Sequence, residues 1–178
     1  MANANRPDGF KPYNNPFGGA GNPVVMEFPL HASNSEIGVG SPVRLVDDGV
    51  NLAAAAGTLG LLGIAAEYKA ANAGGSIKVW ADPNQLFVSQ TDDGTGTMTA
   101  ATCIGNNATF VGTGVTNRRS TSELDETSGT TTSTLQFKVV DLSDEYVGNA
   151  RNAYGEFNRL VVKINNHQLG GGVGHDGI

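Results

Sequence analysis

The run Ile77–Gln90, IKVWADPNQLFVSQ, is the strongest single constraint on what this chain can fold into. Two apolar, β-branched and aromatic runs, Ile77–Trp80 and Leu86–Val88, flank Asp82-Pro83-Asn84, where the proline ring presets φ for the second position of a type I turn. Period-two alternation puts Ile77 and Val79 on one face and Lys78 and Trp80 on the other; beyond the turn, Leu86 and Val88 share a face opposite Phe87 and Ser89. The spacing predicts a β-hairpin. A lone hairpin is marginal in water, so its apolar face must meet other strands.

Similar runs supply candidates. Val24–Leu30 predicts a short strand that Pro29 demotes to an edge. Val43 and Leu45 alternate before the Asp47-Asp48-Gly49 turn, and Leu62, Ile64, Ala66 and Tyr68 alternate after it. Leu135, Phe137 and Val139 form another strand, and Leu160, Val162 and Ile164 the last. Ala53–Ala56 favours helix by propensity, but Gly49, Gly57, Gly60 and Gly63 interrupt any useful length, leaving a strand or a close-packed loop. Two single helical turns are expected: Ala100–Ile104, closed by Gly105 at C′, and Ser120–Leu124, where Ser120-Thr121-Ser122-Glu123 fits a capping box. The expected fold is all-β: one β-barrel or sandwich over residues 23–169, with an extended N-terminal arm over 1–22 and a flexible Gly-rich tail over 170–178. Its expected core is Val43, Leu45, Leu62, Ile64, Ile77, Val79, Leu86, Val88, Phe137, Val139, Val162 and Ile164.

Composition agrees. The 178 residues suit one domain, and a charged fraction of 16% with 25 glycines favours a loop-rich β protein over a helical one. The net charge is −6, and basic residues are scattered apart from Arg118-Arg119, so the footprint of a nucleic-acid binder is missing. Cys103 is the only cysteine, which excludes an internal disulfide and reads as a small buried hydrophobe. No apolar run approaches the length of a membrane span, and the opening MANANRPDGF lacks the apolar core of a signal peptide. A soluble protein made in the cytoplasm is expected, with no membrane partner.

Candidate chemistry is thin. His31, His167 and His175 lie in three separate loops or tails with no i,i+4 pair, and each reads as a surface histidine rather than a zinc ligand. Asp47-Asp48-Gly49 and Asp92-Asp93-Gly94 pair carboxylates with glycine but lack the downstream acidic ligands of a calcium loop, so turn chemistry accounts for both. Nucleophile-elbow, Walker A and dinucleotide fingerprints are missing. Glu123, Asp125 and Glu126, or Asp141, Asp144 and Glu145, resemble a glycosidase carboxylate pair no more than they resemble any acidic surface. The chain is therefore expected not to be an enzyme, with no catalytic residue, metal or cofactor.

Two stretches point to contacts instead. Residues 1–22 carry Phe10, Tyr13 and Phe17 among Asn, Gly and Pro, which describes an arm that cannot build its own core but can anchor on another surface. Arg118-Arg119 followed by Glu123-Leu124-Asp125 is a mixed-charge loop of the kind found at solvated or subunit-contacting tips.

Several stretches, in order along nearly the whole chain, carry a family resemblance. Asn5-Arg6-Pro7-Asp8-Gly9-Phe10-Lys11-Pro12, Gly40-Ser41-Pro42-Val43-Arg44-Leu45, the glycines of Gly60–Gly63, Val79-Trp80-Ala81-Asp82-Pro83-Asn84 followed by Phe87-Val88-Ser89-Gln90, and Val162-Lys163-Ile164-Asn165-Asn166-His167-Gln168-Leu169 resemble virion structural proteins of tailed bacteriophages. Those are coat, capsid or head-decoration proteins. The resemblance implies a particle component, most simply a cement protein on the outside of the head, with the major capsid protein as partner. A phage coat subunit needs a longer chain and a long spine helix, so an accessory role fits this length better. Bare edge strands and closed symmetry make a homotrimer the expected assembly. The candidate contact residues are Arg6, Phe10, Tyr13 and Phe17 in the arm and Arg118, Arg119 and Glu123 in the loop. The alternative is a β-rich carbohydrate-binding or tail-adhesin module, which would need Trp80 or a tyrosine on an open face.

Overall fold

The computed structural model describes residues 3–13, 23–57, 60–92, 98–147 and 150–170. In chain order the strands are β1 (Lys11–Tyr13), β2 (Val25–Pro29), β3 (Pro42–Val46), β4 (Gly49–Leu52), β5 (Gly63–Ala65), β6 (Ser76–Trp80), β7 (Leu86–Gln90) and β8 (Asn107–Ala108). They continue as β9 (Phe110–Val111), β10 (Val115–Thr116), β11 (Arg119–Ser120), β12 (Glu123–Leu124), β13 (Phe137–Leu142), β14 (Tyr146–Val147), β15 (Ala150–Arg151) and β16 (Arg159–Ile164). One helical turn, α1 (Ala100–Cys103), and a 3-10 turn over Glu126–Ser128 are the helical elements among the described residues. Two antiparallel sheets organise the chain: β1-β7-β16-β13-β8 in one, β2-β6-β5-β3-β4 in the other. The architecture is a β-sandwich and not a closed barrel.

The two strands of Ile77–Gln90 form where their alternation predicts, and Pro83 turns the chain between them: Gln85 N donates to Asp82 O at 3.0 Å and Asn84 N to Asp82 Oδ1 at 2.8 Å. They do not pair with each other. β6 lies between β2 and β5 in the second sheet, while β7 lies between β1 and β16 in the first. The expected hairpin is instead a connection that carries the chain from one sheet to the other. Its cause is burial on both sides of β7, whose five residues are all buried: Phe87 enters one core, and Leu86 and Val88 enter another. A strand with two apolar faces needs a layer on each side, which a two-stranded ribbon cannot supply.

The main core lies between the sheets. Phe87, Phe137, Val139, Leu160, Val162 and Ile164 of the first sheet meet Ile64 of the second, with Trp80 packed against them. Sheet two also curls round a core of its own, in which Val43, Val50, Ala65, Ile77 and Val79 meet Leu30, Ile37 and Leu62. A parallel bridge, Leu30↔Val50, brings β4 back to the end of β2. Leu86, Val88 and Val161 form a small third cluster, with Tyr13 beside them. Every residue of the expected core is buried except Leu45, which is half-buried against the second cluster. At Gly63 the backbone passes so close to β6 that a Cβ would sit 2.2 Å from Trp80 O and 2.7 Å from Val79 Cγ1. No helix among the described residues is long and apolar enough to cross a membrane.

Local expectations fare unevenly. Ala100–Cys103 is a helical turn, and Gly105 follows at C′ with φ +84°. Ala53–Ala56 is a loop and not a strand; Ala53 is buried, Ala54 and Ala56 are exposed, and Ala56 N donates to Phe110 O at 2.8 Å. Leu62–Tyr68 contributes only the short β5. Ser120–Leu124 is not a helical turn. Ser120 ends β11 and Glu123 begins β12, while the Ser120 hydroxyl accepts from Ser122 N at 3.1 Å instead of capping a helix. The turn forms next door over Glu126–Ser128, where Asp125 Oδ1 accepts from Thr127 N at 2.9 Å and Ser128 N at 3.2 Å. His167 is buried rather than on the surface, because the chain beyond β16 runs beside Leu61: Leu61 N donates to Asn166 O and Gln168 N to Leu61 O, each at 2.8 Å. His31 is half-buried, with Nε2 3.2 Å from Asp48 Oδ1. His175 and the tail 171–178 lie outside the described residues.

Candidate functional site

The residues expected to make contacts fall in two places, and the first is not a free arm. Asn3–Tyr13 is built into the sandwich. Asn3 Nδ2 donates to Ala153 O and Glu156 O, both at 2.9 Å, and Phe10 N donates to Gly40 O at 3.0 Å. β1 then pairs with β7, Lys11 opposite Val88 and Tyr13 opposite Leu86. Phe10 is fully buried in the main core, stacked on Phe137 at 4.4 Å and edge-on to Phe110 at 6.4 Å. It cannot anchor to a partner, because its own chain already covers it. Tyr13 is half-buried, and its ring lies against the small outer cluster of sheet one. Phe17 lies outside the described residues.

Close packing explains the path of this segment. Gly9 has φ +73°, and a Cβ there would sit 2.8 Å from both Gly40 O and Ser120 Cβ, so the turn that delivers Phe10 needs glycine. Beside it a polar junction holds the segment to the ends of β7 and β16. Gln90, buried, accepts from Arg6 N at 2.8 Å and donates through Nε2 to Asn5 Oδ1 at 3.0 Å and Glu123 Oε1 at 2.8 Å. The guanidinium of Arg159, also buried, lies 3.5 Å from Asp8 Oδ1 and 3.4 Å from Glu145 Oε2 and donates to Arg6 O at 3.3 Å. Lys11 pairs with Asp8 from outside. A buried cation with two carboxylates at its nitrogens is compensated, so this junction positions the segment rather than leaving a charge to recruit a ligand.

Glu123 is the chemically unusual member. Burial pushes its carboxyl up to about 7, the Gln90 amide holds it down in part, and the nearby Asp92 and Asp8 charges add to the rise. Asp92 is also raised, first by burial, with the Glu126 amide opposing and Asp125 adding. The structure thus brings Arg6 and Glu123 together through Gln90, although Arg6 takes part only with its backbone and its side chain is exposed. Sequence reasoning missed Gln90 and Arg159, which look like ordinary strand residues.

Arg118 and Arg119 sit in the second place. The β10–β11 ribbon pairs Val115 with Ser120 and Thr116 with Arg119. Its tip, Asn117-Arg118, has both residues at positive φ, 52° and 65°, the pattern of a type I′ turn. Ribbon and second sheet are tied through Val39, whose N donates to Arg118 O and whose O accepts from Ser120 N, both at 2.9 Å. Arg118 lies over the ring of Tyr68 at 5.5 Å, and Tyr68 in turn donates to Glu36 Oε1 at 3.0 Å. Arg119 is exposed. Glu123, three residues beyond the ribbon, belongs to the junction instead of this tip.

A third surface was not singled out from the sequence: Val24, Val25 and Met26, 52%, 47% and 42% exposed, lie together at the outer edge of sheet two. Trp80, by contrast, is half-buried against the main core and offers no open platform. Compared with protein families, with curated proteins and with solved structures, the chain matches none.

Proposed function

We propose that this protein is a structural component of a tailed-phage virion, a decoration protein that binds the outer surface of the head through its major capsid protein and stabilises it. The reading rests on the ordered sequence resemblance, and the observation that carries it furthest is where those stretches fall. Asn5–Pro12 leads the N-terminal segment through the polar junction into β1, Gly40–Leu45 enters β3, Val79–Asn84 is the connection between the sheets, and Val162–Leu169 ends the central strand β16. The shared residues are therefore framework residues, as expected of relatives that keep a fold while their contact surfaces diverge. Attachment falls to exposed groups away from β2, foremost the arginines of the β10–β11 tip. For the sugar-binding alternative, Trp80 is half-buried against the main core, and Tyr146, 73% exposed, is the aromatic on an open face.

The test is reconstitution. Purified protein, incubated with heads that lack it, is expected to co-sediment with them and to give regular density on the outer shell by cryo-electron microscopy. Failure to co-sediment, or density confined to the tail, would overturn the proposal.

A further inference from the structure

The edge strand β2 has a donor and acceptor pattern that is complementary to itself. In an antiparallel ladder the N–H and C=O of one residue point to the same side, and successive residues alternate. Leu30 N donates to Gly75 O on the β6 side at 2.8 Å, whereas His31 N donates to Val50 O on the opposite side at 3.0 Å. Counting back along β2, even residues bond towards β6 and odd residues face outward. Pro23 and Pro29, both at outward positions, have no N–H to offer. The outward pairing groups of the strand are thus those of Val25 and Glu27, for which no partner is found among the described residues.

The side chains point the same way. Phe28 pairs with Ile77 and Met26 with Val79, so Met26 lies on the face that covers the core of sheet two, yet it is 42% exposed. Among the described residues, nothing covers the core side of the sheet at Met26.

We infer that β2 is a two-fold interface on which a second copy of this chain docks its own β2, antiparallel and centred on Met26. In that register Val25 bonds Glu27 of the second copy and Glu27 bonds Val25 of the second copy, satisfying each outward N–H and C=O of both residues. Val24 then faces Phe28 of the second copy, and Met26 faces Met26. No other register does this: centring on Glu27 would oppose two like charges and set Val25 against a proline. As it stands, Glu27 meets Val25 across the new interface and keeps Lys78 as its neighbour on β6. The prolines at either end stop the ladder from extending, so the contact closes as a dimer and does not propagate. It is independent of the virion role, and the closed symmetry it supports is two-fold where the sequence led us to expect three-fold.

Sedimentation equilibrium of the full chain at concentrations up to about 0.1 mM and cysteine cross-linking together test it. The wild type is expected to be dimeric, and Val25→Pro, which deletes an outward donor but keeps an apolar side chain, to weaken the dimer at least roughly tenfold. Met26→Cys is expected to form an intermolecular disulfide on oxidation, because a non-hydrogen-bonded pair on the axis brings Cα atoms to about 4.5 Å. Val25→Cys is expected not to, since two Val25 Cα atoms would stand about 8 Å apart. Cys103 is fully buried and does not compete. A monomeric wild type, a dimer indifferent to Val25→Pro in a variant of native circular dichroism, or equal cross-linking at 25 and 26 would each overturn the inference.

Discussion

Phe10→Ala tests whether the N-terminal segment is part of the fold. Phe10 has no exposed surface, stacks on Phe137 at 4.4 Å and meets Phe110 edge-on at 6.4 Å. Truncating a fully buried phenylalanine costs about 3–5 kcal/mol, a range that combines lost transfer energy with the cavity left behind. The close aromatic pairs argue for the upper half of it. Against a total stability of about 5–15 kcal/mol, that is a large share, and for a chain of this size it lowers Tm by roughly 6–20 °C. Urea unfolding followed by the fluorescence of Trp80, the single tryptophan, which packs against the same core, reports the loss directly. Phe10→Leu keeps most of the volume and is expected to lose about half as much or less. Deleting residues 1–17 removes Phe10, β1 and the bonds to Gln90 and Arg159, so the truncated chain is expected to be destabilised at least as much as Phe10→Ala. The reasoning fails if Phe10→Ala shifts stability by less than about 1 kcal/mol, or if the truncated chain melts like the full one.

Further outcomes follow from the same structure. Glu123, raised from 4.5 to about 7, folds more favourably protonated, so its contribution is fully present below about pH 4.5 and is lost as pH rises to 7. Because the carboxylate is partly solvated, the screened effect is on the order of 1 kcal/mol: Glu123→Gln should be more stable than wild type at pH 8 and indistinguishable at pH 4.5, read as the difference in urea midpoint. Gly63→Ala forces a methyl against Trp80 O and should cost at least about 1–3 kcal/mol by thermal melting; an unchanged Tm would mean that β5 and β6 separate freely. Cys103, fully buried with its thiol pushed up to about 11, should resist a thiol reagent in the native state and react at once in denaturant.

Strand identity was legible because period-two alternation is a local property: β3, β6, β7, β13 and β16 all stand where their apolar residues recur, and Pro29 marks a true edge. Gly105 as a helix stop was equally local. Partnership was not. Ile77–Trp80 and Leu86–Gln90 flank a turn that suits a hairpin, and nothing in those residues says that both faces of β7 will be covered, which is what sends it to the other sheet. Phe10 shows the same limit from the opposite side. Asn, Gly and Pro around it look like an arm, because local composition records how little apolar surface a segment carries, not whether a cavity 127 residues away, between Phe110 and Phe137, is waiting for one ring. Ser120–Glu123 meets the pattern of a capping box, yet strand pairing with Phe110 and Val111 draws Glu123 and Leu124 into a ladder and leaves the turn to Asp125. Gln90 and Arg159 could not be recognised as a junction at all, since their roles exist only once β7 and β16 lie side by side and the N-terminal segment crosses their ends. Alternation and turn chemistry act over a few residues and are written in the chain; which faces meet is decided by burying the most apolar surface over the whole molecule, and that optimum has no local signature.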